Sequence, residues 1–305
     1  MEQAERKLHS LEKIVATTAL VAVLALSVGF AKAAGPKKKA QDQTLAELHS
    51  GHADMVKLRS SVALVQDAST GETILDKNSD VVLPIASITK LMTAMVVLDA
   101  GLEPDEEIKL GREDVDRLKG TKSRLRTGLV LTRDDLLLLA LMASENRAAA
   151  ALGRAYPGGI EAFVAAMNEK ARSIGMMDSH FVDSTGLSSG NVASAQDLAR
   201  LVTASYQYPL IREYSTRERG EVKVRKRRLS YVNTNNLVRS SKWDVELSKT
   251  GYISEAGRCL VMRVRMASKD LVVVLLDSWG KYSRIGDARR IRKWLETSAL
   301  AEPRS

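Results

Sequence analysis

Polar and apolar positions change period twice along the chain. The runs SVALVQD and ETILDKN flank the turn ASTG, a pattern that predicts a β-hairpin from Ser61 to Asn78. From there to about residue 215 helical spacing dominates. Ile88, Leu91, Met92, Met95, Val96 and Leu98 recur mostly every three or four positions, and Gly101 is a plausible stop. Thr132 is placed to cap a second helix, RDDLLLLALMA, whose first turn holds Asp134 and Asp135 where the helix dipole favours anions. That helix is apolar on nearly every side and should be buried all round. Further helices are expected over 147–155, 159–174 and 195–207, the last preceded by Ser194 with Asp197 three residues on. After residue 215 the period drops to two. EVKVRKRRLSYV, DVELSKTGYI, RCLVMRVRMA and LVVVLLDSW read as strands, the last two joined antiparallel through SKD. A closing helix over about 283–298 would bury Ile285, Ile291, Trp294 and Leu295. Strands at both ends of the chain with a helical block between them describe an α+β fold rather than βαβ alternation.

The N-terminus is of a different kind. Lys7 and Lys13 precede a charge-free run, Ile14 to Phe30, followed by Ala31-Lys32-Ala33. This predicts a secretory signal peptide over 1–33, cleaved after Ala33, with a retained anchor as the alternative. Residues 34–56, with Lys37-Lys38-Lys39 and few large apolar groups, read as a linker, 57–298 as the folded body and 299–305 as a tail. Composition refines this picture in three ways. Aromatics are only 4% of the 305 residues, so the core must be aliphatic. The formal charge of +9, about +8 without the signal peptide, suits an acidic polymer or plain solubility. Nucleic acid is not an expected partner for an exported chain. The single cysteine, Cys259, excludes an internal disulfide or a cysteine metal cluster, fits the bacterial periplasm, and reads as a core thiol.

The candidate chemistry is a serine activated by a lysine. H-E-x-x-H, G-x-S-x-G, the P-loop pattern and G-x-G-x-x-G are all absent, and His180 is the sole histidine of the folded body. Ser87 and Lys90 lie three apart on a predicted helix, so their side chains share a face. A serine hydroxyl is a weak nucleophile until a base takes its proton. A lysine can serve only if burial or a second cation lowers its pKa, and an apolar helix face supplies burial. S-x-x-K alone is weak, for Ser10–Lys13 and Ser278–Lys281 match it too. Its companions decide. Ser144-Glu145-Asn146 forms S-x-N after the buried helix, Ser189–Asn191 forms a second one in a loop, and Lys249-Thr250-Gly251 is a unique K-T-G on a predicted strand. S-x-x-K, S-D-N and K-T-G form one catalytic set.

With these motifs, and with FVDSTGLSSGNVASAQDLARLV at 181–202 and SKTGYISEAGRCLVM at 248–262, the chain resembles the low-molecular-mass penicillin-binding proteins. These are serine D-alanyl-D-alanine peptidases. The likeness spans roughly 58–298 and looks closest to the D-alanyl-D-alanine endopeptidase branch, penicillin-binding proteins 7 and 8. It implies a β-lactamase/transpeptidase-like fold, an antiparallel sheet flanked by helices plus an all-helical lobe. It makes Ser87 the acylated nucleophile, Lys90 its base and Ser144 part of a proton relay. Asn146 would bind the substrate amide, and Lys249 would supply positive charge. Thr250 and Gly251 would let substrate lie along a strand edge, with the backbone N–H groups of Ser87 and Tyr252 as oxyanion hole. The implied partners are peptidoglycan stem peptides, with β-lactams as covalent inhibitors and peripheral association with wall or membrane surface. No metal or organic cofactor is needed.

Two departures bear on specificity. Glu145 replaces the middle aspartate of S-D-N, and Ile253 stands where carboxypeptidase relatives often place a hydroxyl residue. The second favours an endopeptidase over a D-alanyl-D-alanine carboxypeptidase. So does the short stretch after the Trp294 helix, which leaves no room for an extra β-rich domain or C-terminal anchor. A class A-like β-lactamase would need a further glutamate base, and Glu161 and Glu169 read as helix surface. A non-enzymatic wall-binding or penicillin-sensing module is the remaining rival. The basic stretch Arg217 to Arg228 reads either as the exposed face of a twisted strand pair or as a grip on carboxylate-rich stem peptides. Asp183, Gly186 and Asn191 are expected to fix a loop rather than perform chemistry.

Overall fold

A computed structural model of the chain describes residues 56–301. The expected signal peptide and the linker up to residue 55 lie outside the described residues. Strands β1 (Ser60–Asp67) and β2 (Thr73–Lys77) form the N-terminal hairpin. The short β3 (Leu83–Pro84) leads through a 3₁₀ turn, Ala86–Ile88, into α1 (Thr89–Asp99). A small pair, β4 (Glu107–Lys109) and β5 (Val130–Thr132), brackets a long loop. The helical block follows as α2 (Arg133–Met142), α3 (Asn146–Arg154) and α4 (Gly159–Ser173). After β6 (Val192–Ala193), which pairs with β3, come α5 (Ala195–Ser205) and α6 (Pro209–Thr216). The chain then runs through β7 (Arg219–Val224), β8 (Arg227–Val232), β9 (Asp244–Ile253), β10 (Gly257–Met266) and β11 (Lys269–Ser278) to α7 (Ser283–Ala301).

The main sheet has the order β2-β1-β11-β10-β9 and is antiparallel throughout. Successive side chains on a strand point to opposite faces, and both faces here are covered. Val62, Leu64, Val272, Val274 and Leu276 join the core shared with the helical block. Their neighbours Ala63, Val65, Leu271, Val273 and Leu275 pack with Ala288, Ile291 and Leu295 of α7. This explains why LVVVLLDSW is apolar without alternation. Helix α2 is buried along its whole length from Leu136 to Met142, as its sequence required, and Thr132 caps it by accepting from the Asp135 N–H. Ser194 caps α5 in the same way. Strand β9 closes one edge of the sheet, so the K-T-G backbone is left free on one side.

Three readings change. EVKVRKRRLSYV is not one strand. It breaks at Arg225, whose φ of +54° turns the chain, into the separate hairpin β7–β8. Val222, Val224 and Tyr231 bury one face of this hairpin, while its cations stay exposed and Arg228 reaches Glu221 at 3.5 Å. Helix α6 was not foreseen as a separate element. It is two turns long, too short for a convincing period, although Pro209 at its first position is a start signal. In α7 the buried apolar positions are Ala288, Ile291 and Leu295, with Ile285 and Trp294 only half-buried. That helix also continues past 298 to Ala301. Among the described residues no helix is long and apolar enough to cross a membrane.

Asp287 of α7 is fully buried and locks the start of β1. Its carboxylate accepts from Arg59 N at 3.0 Å, Ser60 N at 2.8 Å and Ser60 Oγ at 2.6 Å. Asp287→Ala strands these donors, and each unsatisfied buried group costs about 1–3 kcal/mol. Urea unfolding should therefore show a loss of about 3 kcal/mol; a loss below about 1 kcal/mol would mean that α7 is held by apolar packing alone.

Candidate active site

The site is built around the turn that precedes α1. Ile85 N donates to Asn191 O at 3.0 Å, and Ala86 takes φ +48°, a left-handed conformation unusual for a residue with a Cβ. Thr89 Oγ1 donates back to Ala86 O at 2.8 Å and ties the turn to the helix. Two glycines press on this turn from different elements. A Cβ on Gly186 would lie 1.9 Å from Ala86 O, and one on Gly251 would lie 2.9 Å from Ile85 O and 3.2 Å from Ser87 N. The loop and the sheet edge thus touch the backbone around Ser87 directly, which is possible only without side chains. Ser87 itself is half-buried, at the mouth of the cleft.

Lys90 lies three residues past Ser87, at the start of α1, and is completely buried. Its Nζ is 2.8 Å from Ser87 Oγ, 2.7 Å from Asn146 Oδ1 and 2.5 Å from Thr185 O. The last two partners can only accept. A neutral amine has two N–H bonds and one lone pair, so satisfying both acceptors leaves the lone pair directed at the Ser87 hydroxyl. Burial drives the Lys90 pKa down to about 7, while the charges of Asp183 and Glu145 hold it from falling further. Near neutral pH a substantial fraction is therefore the free base.

Lys249 faces it from β9, equally buried. Its Nζ contacts Ser144 Oγ at 2.8 Å and Thr250 O at 3.0 Å. Burial lowers its pKa well below the usual lysine value, and the Lys90 and Arg284 cations lower it further. Ser144 sits at φ +57° in the turn between α2 and α3, so its hydroxyl is held at the cleft by an unusual backbone. Thr250 Oγ1 bonds Thr234 Oγ1 at 2.7 Å. The Glu145 carboxylate is turned away, accepting from Ser123 Oγ at 2.9 Å with both oxygens, and its burial raises its pKa. Tyr252 exposes its ring under the Arg258 guanidinium, 4.5 Å from the centroid, so its side chain does not line the floor.

All eight residues singled out from the motifs, Ser87, Lys90, Ser144, Asn146, Lys249, Thr250, Gly251 and Tyr252, gather on the 3₁₀ turn and the start of α1, on the α2–α3 turn and the start of α3, and on β9. The competing matches do not join them. Ser278 is buried at the end of β11 while Lys281 is exposed, and Asn191 is a buried loop brace. Ser10–Lys13 lies outside the described residues. Asn191 Oδ1 accepts from Val182 N and Asp183 N, and its Nδ2 donates to Thr89 Oγ1 and Asp183 O. Asp183 in turn accepts from Thr185 N, Thr185 Oγ1, Gly186 N and Ser188 N. This network aims Thr185 O at Lys90.

A profile of the D-alanyl-D-alanine carboxypeptidase family matches residues 49–279. The chain belongs to this family of serine peptidases. The D-alanyl-D-alanine endopeptidase of Pseudomonas aeruginosa is 47% identical over 279 residues, 91% of this chain and 87% of its own. That of Escherichia coli K12 is 46% identical over 250 residues, 81% of each chain. The crystal structure of a Streptomyces DD-transpeptidase matches with a TM-score of 0.72 at 23% identity, covering 81% of this chain and 98% of that one, a likeness of fold.

Several residues of this family member escaped the sequence reading. Thr185 acts through a backbone carbonyl, which leaves no side-chain signature. Thr121 Oγ1 accepts from Asn146 Nδ2 at 3.0 Å and sets that amide's orientation. Arg284 Nη1 donates to Gly251 O at 2.7 Å and Cys259 O at 3.0 Å, pinning the K-T-G strand from α7. Gly186→Ala should keep the fold yet displace Ala86 and Ser87. A shift near 1 Å costs about 100-fold in reactivity, so acylation of the peptidase by a fluorescent penicillin should fall by about that factor, and wild-type labelling rates would disprove the clamp.

Proposed function

We propose that the protein is a periplasmic serine DD-endopeptidase. It hydrolyses the D-alanyl–meso-diaminopimelyl cross-link between peptidoglycan stem peptides through an acyl-enzyme, and β-lactams acylate the same serine. The observation that carries this reading is the 2.8 Å contact between Ser87 Oγ and the buried Lys90 amine, opposite the 2.8 Å contact of Lys249 with Ser144.

The chemistry follows from those positions. Neutral Lys90 takes the Ser87 proton as Oγ bonds to the D-alanyl carbonyl carbon. The developing oxyanion lies between the backbone N–H groups of Ser87 and Tyr252, where fixed dipoles replace water. Asn146 holds the substrate amide. When the C–N bond breaks, the departing amine takes a proton through Ser144, replenished from the lysine pair. Water then attacks the ester, with Lys90 again as base, and Ser87 leaves with its proton restored. An extended donor peptide lies along the free edge of β9.

Two features support an endopeptidase over a carboxypeptidase. Ile253 carries no hydroxyl for a terminal carboxylate, and its side chain is buried. The relatives at 47% and 46% identity carry the endopeptidase name. Against rapid β-lactam hydrolysis, Glu145 is engaged by Ser123, and Glu161 and Glu169 lie exposed on α4. Export rests on the signal sequence, and the basic surface suits peripheral contact with the anionic wall.

Intact-mass analysis after benzylpenicillin treatment should find one stable adduct, mapped to Ser87 and lost in Ser87→Ala. Purified cross-linked muropeptide dimers should be converted to monomers. Faster release of free D-alanine from pentapeptides would favour the carboxypeptidase, and fast nitrocefin turnover the β-lactamase.

A further inference from the structure

The loop between β4 and β5 lies on the same bank of the cleft as Ser144 and Asn146. Thr121 bonds Asn146, Ser123 bonds Glu145, and Arg147 donates to Leu125 O. Its tip is braced by Asp116, which accepts from Leu118 N, Lys119 N, Thr121 N and Thr121 Oγ1. From this tip Lys119 crosses to the other bank and forms an ion pair with Glu255, in the turn that follows β9. Both side chains are part-exposed, and such a pair contributes little to stability. It ties the β4–β5 loop to the turn at the end of β9.

The direction of the substrate leads to that turn. The departing amine is protonated at Ser144 and Lys249, so the leaving strand lies toward Lys249. The acyl donor must then run the other way, past Tyr252 toward Glu255. Glu255 lies four positions beyond Gly251, which is beside Ser87; at ~3.3 Å per extended residue that is at most about 13 Å, and less because residues 254–256 turn. A D-alanyl residue and the extended side chain of the diaminopimelyl residue before it cover about this distance. That side chain ends in an ammonium and a carboxylate on one carbon.

We infer that Lys119 and Glu255 form a subsite for the zwitterionic end of the donor diaminopimelyl residue, whose carboxylate pairs with Lys119 and whose ammonium pairs with Glu255. The ligand replaces each partner of the ion pair with one of the same sign, so no charge is left alone in the opened groove. A lysine-type stem peptide supplies the ammonium only and leaves Lys119 without a carboxylate. The inference rests on reading the cleft as an endopeptidase site.

The test uses synthetic cross-linked peptide dimers in which the donor residue is diaminopimelate, its side-chain carboxamide, its N-acetyl derivative, or lysine. For the wild type, kcat/KM should be about tenfold higher for free diaminopimelate than for the carboxamide or lysine, since a site built to pair a group rejects the analogue lacking it. In Lys119→Ala the preference for a free carboxylate should shrink to within about twofold. Glu255→Gln should retain it and lose the preference for the free over the acetylated amine. Wild-type protein that treats all four dimers alike, or variants that keep both preferences, would overturn the subsite. Benzylpenicillin acylation of Ser87 serves as the separate control. A wild type that forms no adduct and cleaves no dimer fails the functional reading itself, whereas variants that lose the adduct while the wild type forms it show Lys119 or Glu255 to be structural and also overturn the subsite.

Discussion

Two lysine side chains share one buried cleft, and much of the site is arranged around that constraint. An ammonium removed from water is costly unless it is paired or neutral. Among the described residues neither Lys90 nor Lys249 is given a carboxylate to pair with; their contacts are hydroxyls, an amide oxygen and backbone carbonyls. The same absence of a counter-ion that disfavours the charged form makes Lys90 a base at neutral pH. Asp183 and Glu145 act from a distance, as charges that keep the pKa near 7 rather than lower. A carboxylate in direct contact would restore the ammonium and stop the chemistry.

The fold supplies that environment from elements distant in the chain. The 3₁₀ turn that leads into α1 brings Ser87 and Lys90, three residues apart, onto one side. The α2–α3 turn adds Ser144 and Asn146, the 183–191 loop adds the Thr185 carbonyl, and the edge strand β9 adds Lys249. Rigid joints between these parts are glycines and buried polar side chains. Gly186 and Gly251 permit backbone-to-backbone contact at Ala86 and Ser87, and Asn191 and Asp183 saturate the loop's donors. Asp183, Gly186 and Asn191 are thus braces, the role their loop-like sequence suggested, yet they position the atom that fixes the Lys90 lone pair.

Much of this was legible before the structure. The strands β9, β10 and β11 follow directly from period-two stretches, and the caps of α2 and α5 from Thr132 and Ser194. The motif residues met because each motif encodes a local geometry, one helical turn, one tight turn or one strand. What stayed hidden depends on tertiary context or on backbone atoms. The break at Arg225 carries no glycine or asparagine, so the alternating pattern ran through it unmarked. Helix α6 is too short to show a period. The Thr185 carbonyl has no sequence signature, and Lys119 and Glu255 meet from positions 136 apart.

The protonation state of Lys90 is the most direct test. Heteronuclear NMR of the lysine side chains, with the Lys90 resonance assigned by its loss in Lys90→Arg, yields its titration midpoint in the intact protein. A folded-state pKa of about 7, against 10.5 for an ordinary lysine, means the free base accumulates as pH rises through neutrality. Acylation of Ser87 should rise over the same interval. A midpoint near 10, with acylation already at full rate below pH 6, would show that Lys90 is an ammonium in the working enzyme and that another group takes the serine proton.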